Sequence, residues 1–270
     1  MVSKALGKYV QSLHQKKYRQ RHGAFLVEGG KSVLELLSSD LETEHLLVTA
    51  EFADQNRAHL PARLPLVVAT EADLTQLGTL ASNTTALAVA RLPAEKALPP
   101  TLPEGTLLLA LDEVRDPGNL GTLLRLADWY GLPGVVLSPG CADSYAPKTV
   151  AATMGAFARV RVWERDLAGW LPTLPPGVSI FGADLAEWLL TLPPAVGIFG
   201  ADLEGDNVHR LTLRPAGVLV MGSESHGLTP GVAAALTRRL HIPRGASGGA
   251  ESLNVAISAA ILLDNFFRNQ

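Results

Sequence analysis

Cysteine occurs once in this chain of 270 residues, as Cys141. An intramolecular disulfide is therefore excluded, and a lone thiol fits a reducing compartment. No apolar h-region follows the polar, basic N-terminus, so no secretory signal is expected there. No apolar run approaches the ~20 residues needed to cross a bilayer. These absences lead to the expectation of a cytoplasmic protein with no membrane partner. Cys and His nowhere recur at metal-ligand spacing, and no metal site is expected. The G-x-G-x-x-G turn is also missing, which weakens a nucleotide-dependent oxidoreductase as a reading. Charged residues are scarce, 18% against 47% hydrophobic, so the chain buries a sizeable core and is not disordered.

What charge there is lies unevenly. Residues 1–31 hold seven Lys/Arg (Lys4, Lys8, Lys16, Lys17, Arg19, Arg21, Lys31) against the single acid Glu28. The whole chain carries −3, so this segment stands at +6 and the remainder at −9. Such a segment neutralises several phosphates, each contact adding salt-dependent affinity. A run of charge is equally the ordinary exterior of a solvated helix. Lys16, Lys17, Arg19 and Arg21 are the candidates for contacting nucleic acid. Tyr9 and Tyr18, interleaved among the basic residues, are placed either to stack on bases or to pack inward.

Short apolar runs alternate with helical stretches along the chain. Spacing predicts a helix over 3–20 and a strand over 24–27 ended by Gly29-Gly30. Further strands are expected over 46–49, 66–69 and 86–90, with helices over 31–38 and near 71–80. Pro93, Pro99, Pro100 and Pro103 then crowd residues 92–105, where neither helix nor central strand is favoured. This Pro-rich linker divides a first domain, 1–91, from a second, 106–270. The second opens with the continuous apolar run Thr106–Leu111, of the kind a parallel sheet buries on both faces. Strands and helices go on alternating to the final apolar helix, so an α/β fold with a mostly parallel sheet is expected. Within it, TLPPGVSIFGADL at Thr173–Leu185 recurs 18 residues later as TLPPAVGIFGADL at Thr191–Leu203. Two copies are too few for a repeat architecture. Which copy occupies the sheet is left open.

Three stretches carry chemistry. The first is Asp116-Pro117-Gly118-Asn119-Leu120-Gly121, with Arg125 on the helix that follows. An Asn at a helix start caps it, and Arg presents a planar donor fork to a phosphate. The plain alternative is a cap and a surface ion pair. The second, Met221-Gly222-Ser223-Glu224-Ser225-His226-Gly227, ends a buried strand, where ligands of open α/β sheets bind. His226, among turn residues, reads as an exposed structural histidine, and His241 as structural too. The third runs from His241-Ile242-Pro243 through a loop holding Gly245, Gly248 and Gly249 to Ser252-Leu253-Asn254-Val255 and an apolar helix. Ser252 is a favoured N-cap, and glycines just before a helix N-terminus let backbone approach a ligand.

Together these stretches resemble the three motifs of the SpoU branch (TrmH-type) of the SPOUT superfamily, the RNA 2′-O-ribose methyltransferases. The resemblance rests on Asp116–Gly121 with Arg125, on Met221–Glu224 with Gly227, and on Ile242-Pro243 with Ser252-Leu253-Asn254-Val255. The N-terminal part is similar to the substrate-binding domain such enzymes often carry, on Lys16-Lys17-Tyr18-Arg19 and Phe25-Leu26-Val27-Glu28-Gly29. The resemblance implies a trefoil-knotted, mostly parallel sheet with a smaller N-terminal α/β (L30e-like) domain that binds RNA. It implies S-adenosyl-L-methionine held by Met221, Gly222, Ser223, Ile242 and Leu253, and a homodimer formed through the C-terminal helix. It makes Arg125 catalytic, with Asn119, Glu224, Ser252 and Asn254 arranging the site. A guanidinium is a poor base, so Arg125 is expected to hold a backbone phosphate and stabilise the developing alkoxide, with a role as the base, in an unusual environment, as the alternative. The expected substrate is ribosomal RNA of the 23S type. A transfer RNA substrate and a non-catalytic ribosome-assembly factor are the alternatives. Ser223 stands where the family usually has Asn or Ala, and Ala256 where Ser is common.

Overall fold

Alternation of apolar residues builds the first sheet. In β1 (Ala24–Glu28), Phe25 and Val27 enter one core layer and Ala24 and Leu26 the other, all buried. The computed structural model describes residues 2–94, 97–98, 105–174, 197–223, 225–245 and 247–268. β1 pairs antiparallel with β4 (Ala86–Arg91), and β4 antiparallel with β2 (Thr43–Val48). β2 pairs parallel with β3 (Leu66–Val68), giving the order β1-β4-β2-β3. One face packs on α3 (Gly30–Leu37) through Val33 and Leu36. The other packs on α1 (Lys4–Ser12) through Val10 and on α5 (Glu71–Leu77) through Leu74 and Leu77.

The single helix expected over 3–20 is two, α1 and α2 (Lys16–His22). Leu13 drops into the core at the break. The carbonyls of Leu13 and His14 instead accept from Arg19 Nη1, both at 2.9 Å.

The chain divides into two compact units, and the first takes in Ala142–Arg159 as well as the N-terminal segment. Val150 of α7 (Pro147–Thr153) and Phe157 join the core beside Phe25, whose ring lies 4.8 Å from that of Tyr145. Arg19 pairs with Asp143 at 2.7 Å, and Arg159 pairs with Glu35.

The second unit holds a parallel sheet of β5 (Leu107–Leu111), β6 (Gly134–Leu137), β7 (Arg161–Glu164), β8 (Ile198–Asn207), β9 (Gly217–Met221) and β10 (Arg238–His241). Their order is β10-β8-β9-β5-β6-β7, and every pairing is parallel. β5 and β9 are buried throughout, as continuous apolar runs in a sheet interior must be. Parallel strands bring the carboxyl ends of β5, β9 and β10 to one edge. The segments carrying Asn119, Gly222 and Ile242 leave the sheet there.

The duplicated sequence resolves simply. β8 begins at Ile198, so the second copy occupies the sheet. Leu174, near the start of the first copy, is buried with Leu167, Leu171 and Ile198 in one core cluster. Residues 175–185 of the first copy lie outside the described residues.

Candidate active site

Helix α6 (Pro117–Trp129) follows β5. Its cap is Asp116, whose Oδ1 accepts from the Asn119 N–H at 2.8 Å, with Pro117 in the first turn. Asn119 is therefore the third residue of the helix and not the cap expected of it. A second correction concerns the terminal helix, Val255–Phe267. Its cap is Asn254, not Ser252: Asn254 Oδ1 accepts from the N–H groups of Ala256 and Ile257 at 2.9 and 3.4 Å. The Asn254 amide then donates through Nδ2 to Asn119 Oδ1 at 2.9 Å. One amide pair thus joins the starts of two helices separated by 135 positions. Their positive dipole ends reinforce one another there. Ser252, two residues before Asn254 in the chain, is exposed. Leu253 and Ile257 are 47% and 54% exposed, unusual values for large apolar side chains.

The turn after β9 is tightly closed. Ser223 and Gly227 exchange two backbone bonds, each 3.0 Å, and the His226 N–H donates to Ser223 Oγ at 3.2 Å. Gly227 has φ +66°, and any side chain at Gly222 would overlap the Gly227 backbone. Glycine is required at both positions for different reasons, conformation at one and space at the other. Glu224 lies outside the described residues. The Met221 side chain is buried, and its carbonyl accepts from the Asp112 N–H at 2.8 Å. His226 is exposed and shares a 2.8 Å hydrogen bond with Ser225. Ile242, just past β10, is half-buried. Its neighbour His241 has a buried Nδ1 with no hydrogen-bond partner among the described residues.

Arg125 is exposed on α6. On α2, Lys16, Lys17 and Arg21 are exposed, and Lys17 Nζ stands 4.8 Å from the Tyr18 ring centre. Arg19 departs from the expected RNA-contacting set. It is 4% exposed, and its guanidinium bonds the two carbonyls at the helix break and the Asp143 carboxylate. Tyr9 also turns inward, donating to Glu44 at 3.0 Å. Burial, with Glu44 adding to it, pushes its hydroxyl up to about 12. Burial likewise raises the Cys141 thiol, which donates to the Leu111 carbonyl. No His/Cys/Asp/Glu group among the described residues could hold a metal.

Two carboxylates are buried and hydrogen-bonded in a way the sequence reading did not foresee. Glu28 accepts from the N–H and hydroxyl of Thr79 at 2.9 and 2.6 Å. Asp112 accepts from Thr229 at 2.7 Å. The signal for each was an acid directly ending a fully apolar run.

Comparison with known proteins gives a consistent result. Residues 106–264 match the SpoU rRNA Methylase family, and residues 7–88 match the MRM3-like substrate binding domain. The chain is 30% identical over 256 residues to the 23S rRNA (guanosine(2553)-2′-O)-methyltransferase RlmP of Bacillus subtilis, covering 94% of this chain and 92% of that one. It is 30% identical to the mitochondrial rRNA methyltransferase 3 of Xenopus tropicalis, covering 96% and 73%. Among solved structures, a TrmH-family protein from Porphyromonas gingivalis superposes with a TM-score of 0.81 at 36% identity, over 100% of both chains. An AdoMet-bound rRNA methyltransferase from Sinorhizobium meliloti superposes at 0.77 and 27% identity, over 100% and 97%.

Proposed function

The chain belongs to the SpoU rRNA methylase family, and from that premise we propose that it transfers a methyl group from S-adenosyl-L-methionine to a ribose 2′-hydroxyl of ribosomal RNA. The observation that carries this is the bond between Asn119 and Asn254, which unites the first and third sequence motifs at the sheet edge the second also leaves. RlmP, similar over nearly the whole chain, is named for this reaction on 23S rRNA, and a 23S-type RNA is the substrate we assign.

The residues suit the cofactor. Gly222 keeps a tight, narrow turn at the end of β9. The half-buried Ile242 and the exposed Leu253 offer apolar surface for an adenine, and Ser223 offers polar atoms. When bound, the cofactor supplies a methyl group on a sulfonium, open to in-line displacement by oxygen. The protein's part is then positioning rather than covalent chemistry. Asn254 fixes the Asn119 amide and, as a helix cap, is itself held in place. Ser252, exposed two residues before Asn254, is set to bind the nucleotide. Arg125, exposed on the helix that Asn119 opens, holds a backbone phosphate and stabilises the alkoxide as the 2′-proton leaves. Glu224 is assigned with this group on its motif position alone.

The N-terminal domain, 1–91, supplies the RNA contacts, with Lys16, Lys17 and Arg21 on α2 as their basic face. The methyltransferase domain is 106–270, trefoil-knotted as in its family, with 92–105 as linker. Two copies pair through the C-terminal helix, whose exposed Ile257 needs cover. The enzyme works in the cytoplasm.

The test is transfer of tritium from methyl-labelled cofactor. Wild type labels ribosomal RNA, and Arg125→Ala, folded because the side chain is exposed, loses on the order of 10²-fold or more in rate. Label in transfer RNA alone would move the substrate. No label in any RNA, with cofactor bound, would favour a non-catalytic assembly factor.

A further inference from the structure

Asp112 is 2% exposed at the end of β5, and the mechanism above does not use it. Its contacts fall at both ends of one loop. Where the chain leaves β9, the Asp112 N–H donates to the Met221 carbonyl at 2.8 Å. Where the loop closes, its Oδ2 accepts from the Thr229 N–H at 2.7 Å. Between these anchors stands the Ser223–Gly227 pair that shapes the turn at Gly222. Beyond them, the Thr229 carbonyl accepts from Ala233 at 2.9 Å, beginning the short helix Pro230–Ala234. A hydrogen bond to an ionised carboxylate is short and roughly twice as strong as a neutral one.

The aim of Asp112 is fixed from the other side as well. Glu113 has φ +54°, a left-handed conformation that side chains other than glycine seldom adopt. Its N–H donates to Ser138 Oγ at 2.9 Å, holding the bend. The chain then runs to Asp116, the cap that places Asn119.

We propose that Asp112 is a positioning residue: it staples the two ends of the Gly222 turn to each other and to the segment that carries Asn119. The turn keeps its width through this carboxylate, and the ligand-holding and nucleotide-holding loops move as one. This rests on reading the turn as the cofactor site, so the test reads the staple separately from the cofactor.

Amide hydrogen exchange and S-adenosylmethionine titration on the full chain compare wild type with Asp112→Ala, Asp112→Asn and Thr229→Pro. Thr229 already has φ −64°, proline's own value, so that last variant keeps the backbone conformation while it removes the donor N–H and sets a ring carbon against the carboxylate. Asp112→Ala and Thr229→Pro should speed exchange across 222–228 by about tenfold and weaken cofactor binding by about as much. Asp112→Asn, whose amide oxygen still accepts from Thr229, should stay within about threefold of wild type. Its recovery separates a shared hydrogen bond from mere loss of packing. Unchanged exchange in a folded Asp112→Ala overturns the proposal, as does failure of both the Ala and Pro variants to fold, which would make the pair a folding contact. If wild type binds no cofactor while the turn loosens as expected, the staple stands and the cofactor reading falls.

Discussion

At the scale of single residues, the clearest consequences come from groups withdrawn from water. Arg19, 4% exposed, has its charge balanced by Asp143. Removing one member of a buried pair strands the other, so Arg19→Ala should cost about 3 kcal/mol in urea unfolding. An effect under about 0.5 kcal/mol would mean the pair is effectively solvated. Tyr9 and Tyr145 make a pH prediction. Burial pushes both hydroxyls up to about 12, helped by Glu44 and by Asp143 respectively. The native state therefore holds protons on these groups that the unfolded chain releases near pH 10. Their contribution to stability is complete below pH 10 and is lost as pH rises towards 12. Ultraviolet titration should show Tyr9 and Tyr145 ionising late, with Tyr130, raised by burial and by Asp264, also above the ordinary value; all four titrating together near 10 would contradict the burial. The sequence displayed the basic cluster but not its sides. Lys16, Lys17 and Arg21 differ from Arg19 only in which way a short helix faces, and the break at Leu13 decides that.

At the scale of elements, caps and strand ends carry the argument. Asn254 both caps the terminal helix and donates to Asn119, so Asn254→Ala should lose about 1 kcal/mol from the cap alone. A double-mutant cycle with Asn119→Ala should leave a coupling of about 0.5–1.5 kcal/mol. Additive losses would mean the two motifs are not joined. The apolar strands and the order of the motifs were legible because a parallel sheet demands continuous apolar runs and strand-end loops. The caps were not. Pro117 admits a helix start just after Asp116, moving Asn119 inside, and the Asn254 side chain captures two N–H groups, which sets the cap two residues later than the one expected at Ser252. The duplication makes its own prediction. The chain before Leu174 packs in the core and the chain from Ile198 enters the sheet, so deleting residues 175–192 restores a single copy between them. That variant should fold and bind S-adenosylmethionine as wild type does, by circular dichroism and titration. Unfolding would show that the extra copy carries structure the fold needs.

At the scale of the whole molecule, charge and function are segregated. Six net positive charges lie within the first 31 residues, while the remainder is acidic. RNA capture should depend on the former and grow weaker with salt. Composition made this separation visible, but not the allocation of residues 142–159. Val150 and Phe157 read as ordinary core positions of any nearby layer, and only the fold shows them packed with Phe25. The account as a whole stands on one chemical claim, that this chain methylates a ribose in RNA with Arg125 at the reacting centre. Ribose-methylation mapping of total RNA tests it most directly, in cells with the gene, without it, and with Arg125→Ala. The account expects one 2′-O-methyl group in ribosomal RNA to vanish in both altered strains. A methylation profile unchanged in either, over fully mapped RNA, would contradict it.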